Sequence, residues 1–214
     1  MRRLPAIQRP LTPADLPASA RIHVAAFPHA AISQLGVATA ERYHASLRAR
    51  ADVHATAAFT ADRLAGFCFG GTARDVEGAF LREHLGFVAR ELLRRPSLLV
   101  RRVIRARIGA GLRFLRPRSR REPALALASA PASAPAPPSF TILYLAVHPD
   151  VEGRGVAHQL LAAAESHARA AGFAQMDLSV YLDNTRAIAF YERHGWQRLV
   201  QDGAWQGFMF KPLG

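Results

Sequence analysis

A ten-residue run, FTILYLAVHP, fills positions 140–149 and leads directly into DVEGRG and then VAHQLL. The run is rich in β-branched and aromatic residues, which favours a strand. Pro149 marks its end, because proline cannot donate to a sheet ladder. Gly153 and Gly155 then flank Arg154, and apolar residues resume at helical spacing. No other stretch constrains the fold as tightly, since a strand, a glycine turn and a helix in that order form an α/β unit. The first amides of such a helix have no partners one turn back. Together with the helix dipole they attract an anion. The glycines let the backbone approach that anion closely, and Arg154 adds a cation.

Two common phosphate loops do not match. A P-loop needs Gly-Lys followed by Ser or Thr, and this turn has no lysine or hydroxyl there. A dinucleotide fingerprint needs a third glycine and an acid after the next strand in a different layout.

The remaining pattern supplies a sheet for this unit. Residues 6–9 read as a short strand. Thr12, with Pro13 after it, reads as the cap of a helix reaching about Phe27. A second helix is expected over 37–50 with Val37, Tyr43 and Leu47 inward. HATAAFT (54–60) and LAGFCFGG (64–71) read as strands joined by the turn Ala61-Asp62-Arg63. After the glycine turn a helix is expected to about Ala171, capped by Gly172. A strand follows over 176–182, then a helix from Asn184 to about His194. A hairpin around Asp202-Gly203 ends the pattern.

Residues 72–122 differ in character. They carry fourteen arginines against five acids, which is nine of the chain's twelve net positive charges. Apolar residues recur at Leu81, Leu85, Val88 and Leu92, and again at Val100, Ile104, Ile108 and Leu115. Pro96-Ser97 separates the two sets, so two basic amphipathic helices are expected. The Ala/Pro/Ser-rich stretch 123–138 reads as a linker. The organisation expected is residues 1–71 and 139–214 as two parts of one domain, with 72–138 inserted between them. A solvated arginine face packed on the core, an anionic membrane surface and an acidic acceptor are all open as readings of the basic segment. Nucleic acid is the weaker option, because few stacking aromatics stand among the arginines.

The 214 residues are half hydrophobic, enough for a packed core without disulfide or metal staples. Cys68 is the only cysteine, which excludes an internal disulfide and a cysteine-type zinc cluster and suits a reducing cytoplasm. Pro5 and Pro10 interrupt the N-terminal charged stretch, so no signal peptide is expected. No uncharged apolar run reaches the roughly 18 residues of a membrane span.

Val147-His148-Pro149, Glu152-Gly153-Arg154-Gly155-Val156-Ala157 and Leu160-Leu161, followed by Asn184-Thr185-Arg186-Ala187-Ile188-Ala189-Phe190-Tyr191-Glu192-Arg193-His194-Gly195-Trp196, resemble the GNAT (GCN5-related N-acetyltransferase) superfamily. The likeness is close over the signature segments of 140–196, looser over the N-terminal helices and both hairpins, and absent from 72–138. It implies an α/β fold with a mixed, mostly antiparallel central sheet flanked by helices, here carrying a helical arginine-rich insertion. It also implies transfer of an acetyl group from acetyl-CoA to an amine; it does not specify the acceptor, for which a primary amine of a small molecule or amino sugar is the favoured expectation. A binding-only module that senses acyl-CoA or a membrane surface is the alternative.

The resemblance carries over by position. Gly155 and Ala157 match the family's phosphate-turn pattern, and Glu152, Gly153, Arg154 and Val156 complete the cradle. Glu152 stands where Gln or Arg is usual, so its carboxylate is expected to face away from the pyrophosphate. Leu145, Ala146 and Val147 would pair with the pantetheine arm, with an amide near Ala146 or Val147 polarising the acyl carbonyl. Asn184 would contact the cofactor arm. Tyr191 would protonate the leaving thiolate. The carboxylate that many members place on the strand before the turn is missing between 140 and 147. Tyr144 stands there, and His29, His148, Tyr181 and Asp183 are the other candidates to help deprotonate the amine.

Overall fold

The computed structural model describes residues 6–95 and 138–214. The amphipathic set from Val100 to Leu115 and the linker up to residue 137 lie outside the described residues.

Among the described residues seven strands form one sheet. They are β1 (Ile7–Pro10), β2 (Val53–Thr60), β3 (Arg63–Gly71), β4 (Ser139–Val147), β5 (Gln175–Ser179), β6 (Gln197–Gln201) and β7 (Ala204–Pro212), in the spatial order β1-β2-β3-β4-β5-β7-β6. Among these strands only the β4–β5 pair is parallel. The mixed, mostly antiparallel sheet is the one the sequence implies. The crossover between β4 and β5 is α6 (Val156–Ala170), as parallel neighbours require a long return connection.

Helices cover both faces. On one, α1 (Leu16–Ala26), α2 (Ala31–Gln34), α3 (Val37–Ala49) and α4 (Val76–Glu83) enclose a core built from Tyr43, Leu47, Phe67, Phe69 and Phe80. On the other, α6 and α7 (Thr185–Arg193) pack Leu160, Leu161, Ile142, Met176 and Tyr191. Strand alternation divides the side chains between these two cores.

The helix before β2 keeps its expected span but not its expected face. Tyr43 and Leu47 are buried, whereas Val37 is 38% exposed. Six residues from Tyr43, it lies about 120° round the helix, off the stripe. The first basic helix is two helices, α4 and α5 (Leu85–Arg94), broken at His84. The break resets the helical phase, so Leu85 is 65% exposed while Val88 and Leu92 pack against Ala31 and Leu35. Arg74, Arg82, Arg94 and Arg95 of this stretch all have partners among the described residues: Asp177, Asp75, Glu91 and the Leu35 carbonyl.

Candidate functional site

The site begins where two strands part. β4 pairs with β5 only from Ser139 to Ile142, against Gln175 to Leu178. Beyond that point β4 stays with β3, and β5 stays with β7. The expected strand over 176–182 is therefore shorter, ending at Ser179, because Val180 turns to donate to the Gly207 carbonyl at 2.9 Å. Gly207 has φ +90°, and a Cβ there would lie 2.3 Å from the Val180 carbonyl oxygen. Only glycine admits that approach.

The open edge of β4 carries Leu145, Ala146 and Val147. The His148 amide donates to the Ala65 carbonyl at 2.7 Å, which sets the ladder's phase. Alternation then turns the main-chain groups of Ala146 toward β3 and those of Leu145 and Val147 into the gap. Of the two amides named for the acyl carbonyl, Val147 is the one that faces the gap.

At the end of β4 the chain makes a 3₁₀ turn (Pro149–Val151) and then the glycine turn. Gly153 and Gly155 have φ +71° and +88°. Gln159 is the first residue to donate back to the turn, reaching the Gly155 carbonyl at 3.1 Å. Val156, Ala157 and His158 thus lead the helix with no backbone acceptor one turn behind them. Arg154 is exposed at the same mouth. The Glu152 carboxylate is hydrogen-bonded to the Arg186 guanidinium from the start of α7. The unusual acid in the cradle is therefore charge-paired, through a residue that nothing nearby in sequence points to.

Asn184 caps α7, its side-chain oxygen accepting from the Ala187 amide at 3.1 Å. Tyr191 lies on the buried face of α7 beside Trp196, with ring centroids 5.5 Å apart. Burial, and then the nearby Cys68 thiol, push its phenol well above the ordinary value, so it stays protonated. Burial pushes Cys68 itself up to about 12, which makes it an inert thiol. Cys68 pairs in register with Leu145, which puts Tyr191 on the same side of the sheet as the gap-lining strand.

The other candidates separate. Tyr181, Asp183 and Asn184 face Phe27 and His29 across a cleft of about 300 Å³ between the α1–α2 loop and the β5–α7 loop. His148 accepts from the Asp150 amide and caps the 3₁₀ turn. Tyr144 is embedded on the α1/α3 side, where its hydroxyl donates to Glu77 of α4 at 2.7 Å and meets the Tyr43 hydroxyl at 3.2 Å. Burial, then Tyr43 and Glu77, hold this phenol neutral. Glu77 and Tyr43 are absent from the sequence-based candidates, for they lie 67 and 101 residues from Tyr144.

Residues 110–196 match the sequence profile described as the Acetyltransferase (GNAT) family. A 65-residue stretch is 35% identical to the mycothiol acetyltransferase of Geodermatophilus obscurus, covering 30% of this chain and 21% of that protein. The chain thus spans about a fifth of that relative's length. Two solved structures share the fold. The ribosomal-protein-S18-alanine N-acetyltransferase of Escherichia coli is 16% identical, with a TM-score of 0.56 over 98% of this chain and 94% of that one. The PaiA N-acetyltransferase of Thermoplasma acidophilum, solved in complex with coenzyme A, is 13% identical, with a TM-score of 0.56 over 98% and 99%. Over residues 110–196 this chain is therefore similar to the Acetyltransferase (GNAT) family, and its described residues share the fold of these two N-acetyltransferases.

Proposed function

We propose that this chain is an N-acetyltransferase that moves the acetyl group of acetyl-CoA to a primary amine of a small acceptor by direct attack. The observation that carries the reading is the parting of β4 from β5 beside the glycine turn. It leaves a strand edge with unpaired backbone groups next to an anion-attracting helix mouth. The residues fit the cosubstrate: an extended amide-containing arm matches the Leu145 and Val147 edge, and a pyrophosphate matches the turn from Gly153 to Ala157. Bound acetyl-CoA supplies an activated thioester carbonyl.

The chain's own groups supply the rest. The Val147 amide donates to the carbonyl oxygen as negative charge grows on it. Tyr191, kept neutral by burial, retains a phenolic proton to give to the departing sulfur. Asn184 fixes the start of α7 and so the position of Tyr191, two turns along. The cleft between Phe27 and Asp183 is the entry for the amine, and its volume suits a small acceptor. The binding-only alternative draws on the missing carboxylate of β4 and on Glu152, and the pairing of Glu152 with Arg186 weakens the second of these supports. An anionic partner of the basic segment would engage arginines outside the described residues, because most of those within them are already paired. The single, buried thiol fits a cytoplasmic setting.

Release of free CoA in the presence of an amine panel tests the reading. Tyr191→Phe is expected to lower turnover by about 10²-fold, the lower end for loss of a general acid, while acetyl-CoA affinity stays within about twofold. Gly155→Val, which forces φ +88° on a β-branched residue, is expected to abolish acetyl-CoA binding in calorimetry. Undiminished turnover in the first variant removes the acid role, and retained affinity in the second removes the cradle.

A further inference from the structure

The cleft between the α1–α2 loop and the β5–α7 loop reverses the charge of the molecule around it. The chain carries 28 lysines and arginines against 16 acids, yet among the described residues no lysine or arginine lines this cleft. Its one acid is Asp183, which stands with Tyr181 and Asn184 opposite Phe27 and His29. Elsewhere the acids are answered: Asp15, Asp52, Asp75, Glu152, Asp177 and Glu192 each meet an arginine. The Asp183 carboxylate is exposed and meets no cation or hydrogen-bond donor among the described residues. The Asn184 side-chain oxygen is committed to the Ala187 amide, which leaves Asp183 as the carboxyl or amide side chain able to accept from a ligand. Two rings share the lining. Phe27 is held from behind by His23 and Tyr144, at 5.1 and 5.6 Å between centroids, and Tyr181 is 60% exposed. A carboxylate beside aromatic rings is the chemistry that recognises an organic cation. The ring faces attract it through their quadrupole and the carboxylate through its charge.

We propose that Asp183 sets acceptor specificity: the cleft takes a small acceptor that carries a second, positively charged group besides the amine that is acetylated. The proposal rests on the acetyltransferase reading above and deepens it. The reacting nitrogen must shed its charge, because only its lone pair forms the C–N bond. It must also leave any carboxylate behind to reach the thioester beside Val147. The charge that Asp183 answers therefore belongs to another group of the same acceptor. Asp183 holds that far end, and the rings of Phe27 and Tyr181 cover it. A volume of about 300 Å³ suits a small molecule with both groups.

The test measures kcat/KM of the full chain with acetyl-CoA and three primary amines of equal chain length, ending in a tert-butyl group, a trimethylammonium group or a carboxylate. The first two ends have nearly the same shape, and none of the three can itself be acetylated. The parent is expected to prefer the trimethylammonium amine to the tert-butyl amine by about tenfold, the combined effect of a screened ion pair and a cation–π contact. The carboxylate amine should be the poorest acceptor. Asp183→Asn is expected to shrink the preference to about threefold, the share left to the rings. Asp183→Lys is expected to invert the order in favour of the carboxylate amine. Each figure is a ratio between acceptors, so a general loss of activity cancels, and a merely structural role for Asp183 would leave the ratios unmoved. A parent ratio near one, or a ratio that both variants leave at the parent's value, overturns the specificity role alone and leaves the acetyltransferase reading standing. A parent chain that binds acetyl-CoA and acetylates none of the three amines overturns that reading and the specificity role with it.

Discussion

Glu152 places a carboxylate at the mouth that should hold a pyrophosphate, and Arg186 answers it from the next helix. The pair is exposed on both sides, so its own contribution to stability is small. Its consequence is local: it cancels a negative charge beside the turn. Arg186→Ala is therefore expected to weaken acetyl-CoA binding by about fivefold, the equivalent of roughly 1 kcal/mol at a solvent-exposed site. Adding Glu152→Ala to that variant should restore the affinity. Calorimetry on the two single variants and the double checks this, and a double variant as weak as Arg186→Ala would mean that the arginine contacts the ligand directly. The sequence reading marks Glu152 as anomalous and expects it to point away. It does not find Arg186, because charge pairing across 34 positions leaves no local pattern.

At the scale of elements, the site is a consequence of how two strands end. β4 and β5 run side by side for four residues and then follow different neighbours. β5 is drawn off by β7, and Gly207 makes that possible, because a Cβ there would lie 2.3 Å from the Val180 carbonyl oxygen. Gly207→Val is expected to push β7 away from Val180, disorder the β5–α7 loop and lower acetyl-CoA affinity by at least tenfold, while β1–β4 keep their pairing. Hydrogen exchange read strand by strand, with a binding titration, checks this; faster exchange throughout the sheet would instead signal general unfolding. The strands and longer helices were legible because their periodicities are local. The gap was legible only through resemblance, since strand composition does not say where a ladder stops. The break at His84 was missed for a related reason: Leu81, Leu85, Val88 and Leu92 keep helical spacing across it, and packing of Phe80 on one side and Val88 on the other decides the phase.

Across the whole molecule the two cores sit on opposite faces of one sheet, and a buried polar chain braces the first. The Ser19 hydroxyl donates to the Leu16 carbonyl at 2.9 Å and so accepts from His44 Nδ1 at 2.9 Å. His44 Nε2 in turn accepts from His23 Nδ1 at 3.0 Å, linking α1 to α3. His23 Nε2 ends the chain as a lone pair without a partner among the described residues. Burial pushes His23 down to about 4, and burial together with His23 holds His44 well below its usual value. The unfolded chain, with ordinary histidines near 6.5, therefore binds protons that the folded chain refuses. Stability is full above about pH 6.5 and falls as pH drops toward 4, by about 2 kcal/mol for His23 alone between pH 7 and pH 4.5. Thermal melts across that range check the slope, and a melting temperature that stays flat from pH 7 to 4.5 would contradict it. By itself the sequence determined the strand–turn–helix unit and the alternating strands, because each depends on spacing along the chain, and the cradle, Asn184 and Tyr191 entered only as what the resemblance implies. The tertiary structure alone decided that Glu77 meets Tyr144, that Arg186 meets Glu152 and that three side chains of α1 and α3 share protons in the core. Those contacts join residues 21 to 67 positions apart, and only packing the helices onto the sheet brings them within hydrogen-bonding distance.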